Sequence, residues 1–549
     1  MNCMVQTFYT TELTALYGPK IASQVEVRLS NLIQHYRGRI PLPQEVTLTE
    51  RDSILITYAD QVRQPGQPHL KTLAQFCEKQ LLGIVRGIHI LPFFPFSSDD
   101  GFSVMDYRKV NPELGTWQDV EQLSRKFRLM IDGVINHISA ESEWFKGFLL
   151  NKQPYCKYFM TVEGHPDLSN VVRPRTTPLL TEFQTIAGPR RVWTTFSTDQ
   201  IDLDYHNSEV LLEIFDILLM YVEHGARFLR LDAIAYLWKE IGTTCIHLPQ
   251  THAFIRLLRH VLDDVAPHVQ LITETNVPHQ ENISYFGDGT NEAQLVYNFA
   301  LPPLVMHSLR TGDASILSDW AAGLELPSHQ TTFFNFLASH DGIGLNPALQ
   351  ILSLEDIENL VAQTISHGGL ISYKQNPDGS QTPYEMNINY FDALSGPAGS
   401  EPTSLQVNRF MAAQAIMLSL IGVPGIYFHS LFGSRNWSKG VKLTKHNRTI
   451  NRQKLNVSTL ELELSNPHTL RSQIYQRFCL LLRQRATSAA FHPHGRQKIL
   501  SMGKNIFAIL RTSPEGDKQV LCMQNVTSEI QSYGDYHLEP YQTLWINKS

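Results

Sequence analysis

The sequence predicts an α/β chain folded as a (β/α)8 TIM barrel with insertions, and three observations point there. Eight short β-rich runs recur along the chain, each followed by a loop and a helical pattern. Four of these runs end on acids, histidines or arginines, as barrel strands do at the face that carries chemistry. At 549 residues the chain is too long for one ordinary domain, but a barrel with inserted loops and one added module would use that length.

The elements follow in order. Residues 1–50 mix a helical pattern with polar residues, end in the proline-marked PLPQE, and read as an N-terminal helical extension. The eight strand candidates are Ile54–Tyr58, Gly87–Leu91, Leu129–Ile135, Ala226–Leu231, Val269–Thr273, Gln294–Tyr297, Thr332–Leu337 and Val423–Phe428. They divide the barrel into 51–139, 206–340 and 406–470. Two connections, 140–205 and 341–405, are too long for plain barrel loops and are rich in Pro, Gly, Asn and Asp. They are expected as inserted B and B' loop domains roofing the C-terminal face. One helix stands out before the strand ARFLRLD. Ser208 can cap it, Leu211, Leu212, Phe215, Leu218, Leu219 and Val222 form its apolar stripe, and Gly225 can end it. From 471 to 549, segments such as NIFAILRTS and QVLCMQNVT read as strands of a small antiparallel C-terminal domain.

Composition removes several function classes. Hydrophobic residues at 42% against 18% charged allow a large core and argue against wholesale disorder. A net charge of −6 with no long basic run gives no electrostatic case for nucleic acid or an anionic membrane. Cys3, Cys77, Cys156, Cys245, Cys479 and Cys522 are widely spaced with no CxxC pair, so neither a zinc site nor a disulfide framework is supported. Free thiols suit a reducing cytosol. MNCMVQTFYTTEL lacks the basic start and apolar core of a signal peptide, and no apolar stretch reaches about 18 residues. The expectation is a cytoplasmic monomer or homodimer without metal or organic cofactor.

The chemistry-bearing segments are LMIDGVINHIS with Asn136 and His137, ARFLRLDAIAY with Arg230 and Asp232, LITETNVPH with Glu274, and FFNFLASHDGIG with His340 and Asp341. Each alone has a plainer explanation: a carboxylate at a strand end is usually a helix cap, and a lone histidine usually structural. Together, on strand ends that converge on one face, they describe a site. Residues i and i+2 of a strand share a face, so Arg230 and Asp232 point together, and the guanidinium would keep Asp232 ionised. Glu274 ends the next strand, and neighbouring strands lie about 4.8 Å apart. That suits the roughly 5–5.5 Å between the carboxyls of a retaining glycosidase. Burial beside other carboxylates would raise the pKa of Glu274, as a general acid requires. Lys239, Lys374 and Arg435 read as surface charges, and neither GxGxxG nor GxxxxGK[ST] has a match.

DGVINH, RFLRLDA, ITETN and ASHD resemble the four signature regions of the α-amylase superfamily of retaining glycoside hydrolases and transglycosylases. The resemblance implies Asp232 as nucleophile, Glu274 as general acid/base and Asp341 as transition-state stabiliser, with His137, Arg230 and His340 gripping the donor glucose. HILPFFPFSSDDGFSVMDYRKVNPELGTW is similar to the sucrose phosphorylase subfamily, in which residues matching Asp99 and Phe102 close the glucose subsite. VRPRTTPLL resembles the segment whose second arginine, Arg175 here, faces phosphate or acceptor. HNRTINRQK implies a glucose-binding arginine at Arg448, and Tyr236 matches an acceptor-side tyrosine. Asn276 stands where sucrose phosphorylases generally carry histidine, which counts against fructose as the acceptor. The runs ETNVPHQENISYFGDG, SHDGIGLNP, NPDGSQTPYEMNINYFDAL and GVPGIYFHSLFGSRN resemble the branch containing glucosylglycerate phosphorylases, although Trp437 follows GSRN where that branch is expected to have an acid. The resemblance therefore implies a retaining phosphorylase that moves glucose between an α-glucoside and inorganic phosphate. Glycerate is the first choice of acceptor, and glycerol, fructose or fructose 6-phosphate the second. A hydrolase or transglucosidase, and a non-catalytic homologue, remain the rivals.

Overall fold

The computed structural model describes residues 2–376, 378–396 and 399–548, with side chains from Phe8 onward. Eight parallel strands close a barrel in chain order: β1 (Ile54–Thr57), β2 (Gly87–Ile90), β3 (Arg128–Gly133), β4 (Ala226–Leu231), β5 (Gln270–Thr273), β6 (Leu295–Tyr297), β7 (Thr332–Phe336) and β8 (Val423–Tyr427), which returns to β1. Each coincides with one of the eight predicted runs, with bounds differing by no more than two residues at either end. The (β/α)8 TIM barrel is therefore the fold, and every barrel strand is buried except at isolated positions, as a parallel sheet covered by helices requires.

The N-terminal helix α1 (Asn2–Tyr36) breaks at Gly18, whose φ of 72° precedes Pro19. Proline lacks the N–H a helix needs and disfavours helical geometry in the residue before it. Leu13, Val25, Leu29 and Ile33 of α1 are buried, and the helix packs on α2 (Ser208–Glu223) and α3 (Pro249–Val265) of the barrel's outer ring. The cap of α2 differs from expectation. Asn207 caps it, its side chain accepting from the Glu209 N–H, and Ser208 is already helical. Gly225, with φ of 102°, lies just past the end.

Over the barrel's C-terminal face the chain builds two irregular layers. Between β3 and β4 lie a hairpin, Leu180–Thr185 with Gly188–Trp193, and a short antiparallel pair, His137–Ser139 with Gln200–Asp202. Between β7 and β8 lies a three-stranded antiparallel sheet of Ile343–Gly344, Gln381–Asn387 and Leu370–Gln375. At the other end of the chain β9 (Arg496–Ile499), β10 (Ile506–Thr512), β11 (Gln519–Asn525) and β12 (Thr543–Lys548) form an antiparallel sheet. No helix among the described residues is long and apolar enough to cross a membrane.

Candidate active site

The floor of the site is fixed by backbone ladders. Asp132 of β3 sits directly across from Arg230 of β4, and Arg230 across from Ile272 of β5. The ladders run one residue past the strands: Asp232 N–H donates to the Gly133 carbonyl and Glu274 N–H to the Leu231 carbonyl, each at 3.1 Å. Asp232 and Glu274 are thus held at neighbouring strand ends. Arg230 lies beneath them, 2% exposed, with Nη1 2.9 Å from Asp232 and Nη2 3.9 Å from Glu274. Asp132 braces the guanidinium from behind and is itself 2.7 Å from His89 Nε2. Ala233, directly after Asp232, takes a left-handed conformation with φ of 49° and donates its N–H to Glu274 Oε2 at 2.9 Å. A non-glycine residue in that region carries strain, which the surrounding structure must hold.

One cavity above this floor is lined by Asp99, Phe102, His137, Arg175, Asp232, Tyr236, Glu274, His340, Asp341 and Arg448. These are all the residues given a catalytic or substrate-binding role from the sequence except Arg230, which supports them from below; Asn136 lies outside the lining and accepts from Lys239. Phe102 stacks flat on His340, ring centroids 4.7 Å apart. Its position depends on the DDG turn, where Gly101 has φ of 116° and a Cβ would lie 2.6 Å from the Pro92 carbonyl oxygen. The Phe102 carbonyl is 3.0 Å from His137 Nε2. Arg448 forks onto Glu385, Nε to Oε1 at 2.9 Å and Nη2 to Oε2 at 2.6 Å, and its Nη1 contacts Asp341. Arg175 lies beside the rings of Phe196 and Tyr384, 5.9 and 5.6 Å from their centroids.

Burial and charge set the proton affinities. Burial pushes Asp232 well above the ordinary carboxylate range, with Arg230 opposing it and Glu274 and Asp132 reinforcing it. The expectation that Arg230 keeps Asp232 ionised is therefore corrected: the guanidinium counters burial but does not outweigh it. Glu274 is raised by burial and by Asp341, against Arg230 and the Ala233 N–H. Asp341 goes the other way. Burial alone would raise it, but Arg448, Arg452, Arg230 and Arg175 together hold it below the ordinary range. Burial lowers both His137 and His340, leaving two neutral imidazoles.

Several contributors escaped the sequence reading. Arg452, 4% exposed, donates from Nε to the His340 carbonyl at 2.8 Å and reaches Asp100 at 2.7 Å. It lies in the same segment as Arg448, four residues on, and that spacing was the available signal. Asp132 and Glu385 also lay inside quoted motifs but drew no attention, because their partners come from distant segments. Lys239 is not a surface charge: 3% exposed, it donates to Asn136 at 2.7 Å and pairs with Asp202 at 2.7 Å, behind His137. Arg435 donates to Asp392 and Gln406 and lies over Phe391, outside this cavity. Asn276 lines the cavity and donates to Tyr384 at 3.3 Å. Among the described residues, no group of three or more His, Cys, Asp or Glu side chains could hold a metal ion.

A barrel whose neighbouring strand ends present two carboxyls to one cavity, over a shared arginine, has the architecture of a retaining enzyme acting on glycosidic bonds. Sequence comparison places it further. The profile "Alpha amylase, catalytic domain" matches residues 80–342. A glucosylglycerate phosphorylase of Spirochaeta thermophila is 51% identical over 521 residues, covering 94% of this chain and 88% of that one. Another, from Escherichia coli, is 43% identical over 555 residues, covering 98% and 99%. A crystal structure of sucrose 6F-phosphate phosphorylase from Thermoanaerobacter thermosaccharolyticum shares the fold, with a TM-score of 0.77 at 24% identity over 92% of this chain and 98% of that one. The chain belongs to the α-amylase family, in the group formed by its glucosylglycerate phosphorylase relatives.

Proposed function

We propose that the protein is a retaining α-glucoside phosphorylase that transfers glucose between 2-O-α-glucosylglycerate and inorganic phosphate, giving α-glucose 1-phosphate and glycerate. The observation that carries the reading is Arg230 shared unequally between two carboxyls. The guanidinium is 2.9 Å from Asp232 and 3.9 Å from Glu274. Burial raises both carboxyls, and the shorter contact to Arg230 favours placing the negative charge on Asp232 and the proton on Glu274 for the reaction. Asp232 then attacks the anomeric carbon while Glu274 gives its proton to the departing glycerate oxygen. A β-glucosyl ester on Asp232 results. A phosphate oxygen next attacks the anomeric carbon, the ester bond to Asp232 breaks, and the Glu274 carboxylate takes the phosphate proton. Two inversions leave the α configuration.

In this reading Asp341, kept ionised by four arginines, stabilises the positive charge that develops on the sugar ring. Asp99, Phe102, His137, His340 and Arg448 surround the glucosyl unit, and Arg175 and Tyr236 stand on the acceptor side. The choice of glycerate rests on the activity of the relatives named above. A cytoplasmic location suits the chemistry: phosphate is plentiful there, and the five cysteines with described side chains are free thiols.

The test is direct. Enzyme is incubated with α-glucose 1-phosphate and a panel of glycerate, glycerol, fructose, fructose 6-phosphate and no acceptor, and phosphate release is followed. Glycerate should give the fastest release. Release that needs no acceptor would make the protein a hydrolase, and a preference for fructose would overturn the acceptor.

A further inference from the structure

Beside the active-site cavity lies a second one that shares Tyr236 and Tyr384 as a common wall. Residues 168–174 form one side of it, and the Leu370–Gln375 strand with its following turn forms the other. The two cavities have opposite character. Asp99, Asp232, Glu274, Asp341 and Glu385 line the inner one against two arginines, Arg175 and Arg448. The outer one is lined by two cations, Arg173 and Lys374, and by no carboxylate.

Lys374 was expected as a solvated surface charge, and it is not one. Its ammonium is half-buried, and Nζ donates to a neutral acceptor, Asn346 Oδ1, at 2.9 Å. Arg173 spends one N–H on the Thr177 carbonyl. Among the described residues, neither has a carboxylate within ion-pair distance, whereas the buried lysines Lys239 and Lys454 elsewhere in the chain are paired, with Asp202 and Asp60. Withdrawing a cation from water without a counter-charge is unfavourable unless something negative joins it. Arg175, two residues after Arg173, reaches through to the inner cavity.

We propose that the outer cavity is an anion-holding antechamber, in which Lys374 and Arg173 take up phosphate or a carboxylate-bearing acceptor before it passes to Arg175. The idea rests on the phosphorylase reading and adds a site to it. With Asp232 esterified, four carboxyls still face only Arg175 and Arg448 along the inner wall, and that excess opposes an incoming anion. Two uncompensated cations at the adjoining cavity offset that repulsion and raise the local anion concentration. In a double displacement the leaving glycerate and the entering phosphate also use one opening in turn, and a holding site shortens the interval between them.

The experiment uses α-glucosyl fluoride as donor and inorganic phosphate as probe, and measures the partition of product between α-glucose 1-phosphate and glucose. In Lys374→Met at low salt, the phosphate concentration giving equal partition should rise about tenfold. Arg173→Gln should shift it in the same direction, and Lys374→Arg, which keeps the charge, should restore most of the loss. Added salt should weaken phosphate use more steeply in the wild type than in Lys374→Met. A partition unchanged in both Lys374→Met and Arg173→Gln, in a wild type that responds to phosphate, would overturn the antechamber alone. A wild type that yields only glucose at every phosphate concentration would overturn the phosphorylase reading, and the antechamber with it.

Discussion

The two ends of the cavity are built by different means. At the end proposed for the glucosyl unit, Asp232 and Glu274 stand at barrel strand ends, their backbones held by ladder hydrogen bonds to Gly133 and Leu231. At the other end, proposed for the acceptor, Arg175, Tyr384 and Glu385 stand on the two insertions, and Arg448, proposed to hold the glucosyl unit, reaches Glu385 from a connection after β8. Strand-borne groups inherit their positions from the barrel. Loop-borne groups depend on one another, as the Arg448–Glu385 fork and the Arg175–Tyr384 contact show. In the proposed roles, the chemistry common to every acceptor is mounted on the rigid part, and the choice of acceptor on the part most easily changed.

The sharpest way to break this division is at the proposed nucleophile. Asp232→Asn keeps the shape but cannot form the glucosyl ester, so phosphate release with glycerate should fall about 10⁴-fold or more. Azide, attacking directly with inversion, should restore a little turnover. Phosphorolysis within tenfold of the wild type would remove Asp232 from the centre of the site.

At Glu274 the prediction concerns the leaving group. Glu274→Gln should lower the rate on 2-O-α-glucosylglycerate by about 10²–10⁴-fold and spare α-glucosyl fluoride, whose departure needs no proton. Glu274 is held above the ordinary carboxylate range, so it is the protonated acid below its folded value. The rate on the glycerate donor should therefore fall as pH rises through that value, while the first step on the fluoride should not. The same shift has a sign for stability. The folded state binds this proton more tightly than the unfolded state, so ionisation of Glu274 opposes folding, and stability is lost as pH rises from the ordinary range through the folded value. Glu274→Gln removes that opposition. Its melting temperature should exceed that of the wild type, with the gap widening as pH rises, and equal melting curves at all pH values would contradict the shift.

The loop-borne end should respond more weakly and more selectively. Arg175→Ala removes a cation that can bind phosphate or carboxylate through two hydrogen bonds. A loss of about 1.5–3 kcal/mol, roughly ten- to a hundredfold, should fall on phosphate and glycerate alike. Water and glycerol, being neutral, should lose less, so the variant leaks toward hydrolysis. Equal losses for charged and neutral acceptors would make Arg175 a scaffold residue.

The same division explains what was legible in the sequence. Four barrel strands could be read with their boundaries, because an apolar run that ends abruptly on Asp, Glu or His carries its own boundary, and Arg230 and Asp232 two apart declare a common face. Asp132 and Glu385 could not be read in this way. Their meaning comes from β3 lying beside β4, and from a turn near residue 447 meeting a strand near 385, contacts that no local pattern encodes. Lys239 and Lys374 misled for the same reason: a lysine looks solvated until the fold encloses it. The direction of the Asp232 shift needed the depth of the pocket, which spacing does not report.

The smallest predicted effect probes the strand-borne end from behind. Helix α2 leads through its last turn into β4, which carries Arg230 and ends just before Asp232. The sequence predicts Ser208 as the cap, and the structure moves the cap one residue earlier: the Asn207 side chain accepts from the Glu209 N–H, while Ser208 is already inside the helix. Asn207→Ala should cost about 1 kcal/mol of stability, since one N–H of the first turn loses its acceptor. Ser208→Ala should lie within about 0.5 kcal/mol of the wild type, as substitutions away from such features usually do. Neither should alter the partition between phosphate and water, because the ladder bonds from Asp232 to Gly133 and from Glu274 to Leu231 hold the carboxyls whether or not the distant helix end is capped. Denaturant titration of both variants beside the partition assay tests this. A change in partition with Asn207→Ala would mean that the strand-borne end leans on its helices as much as the acceptor end leans on its loops.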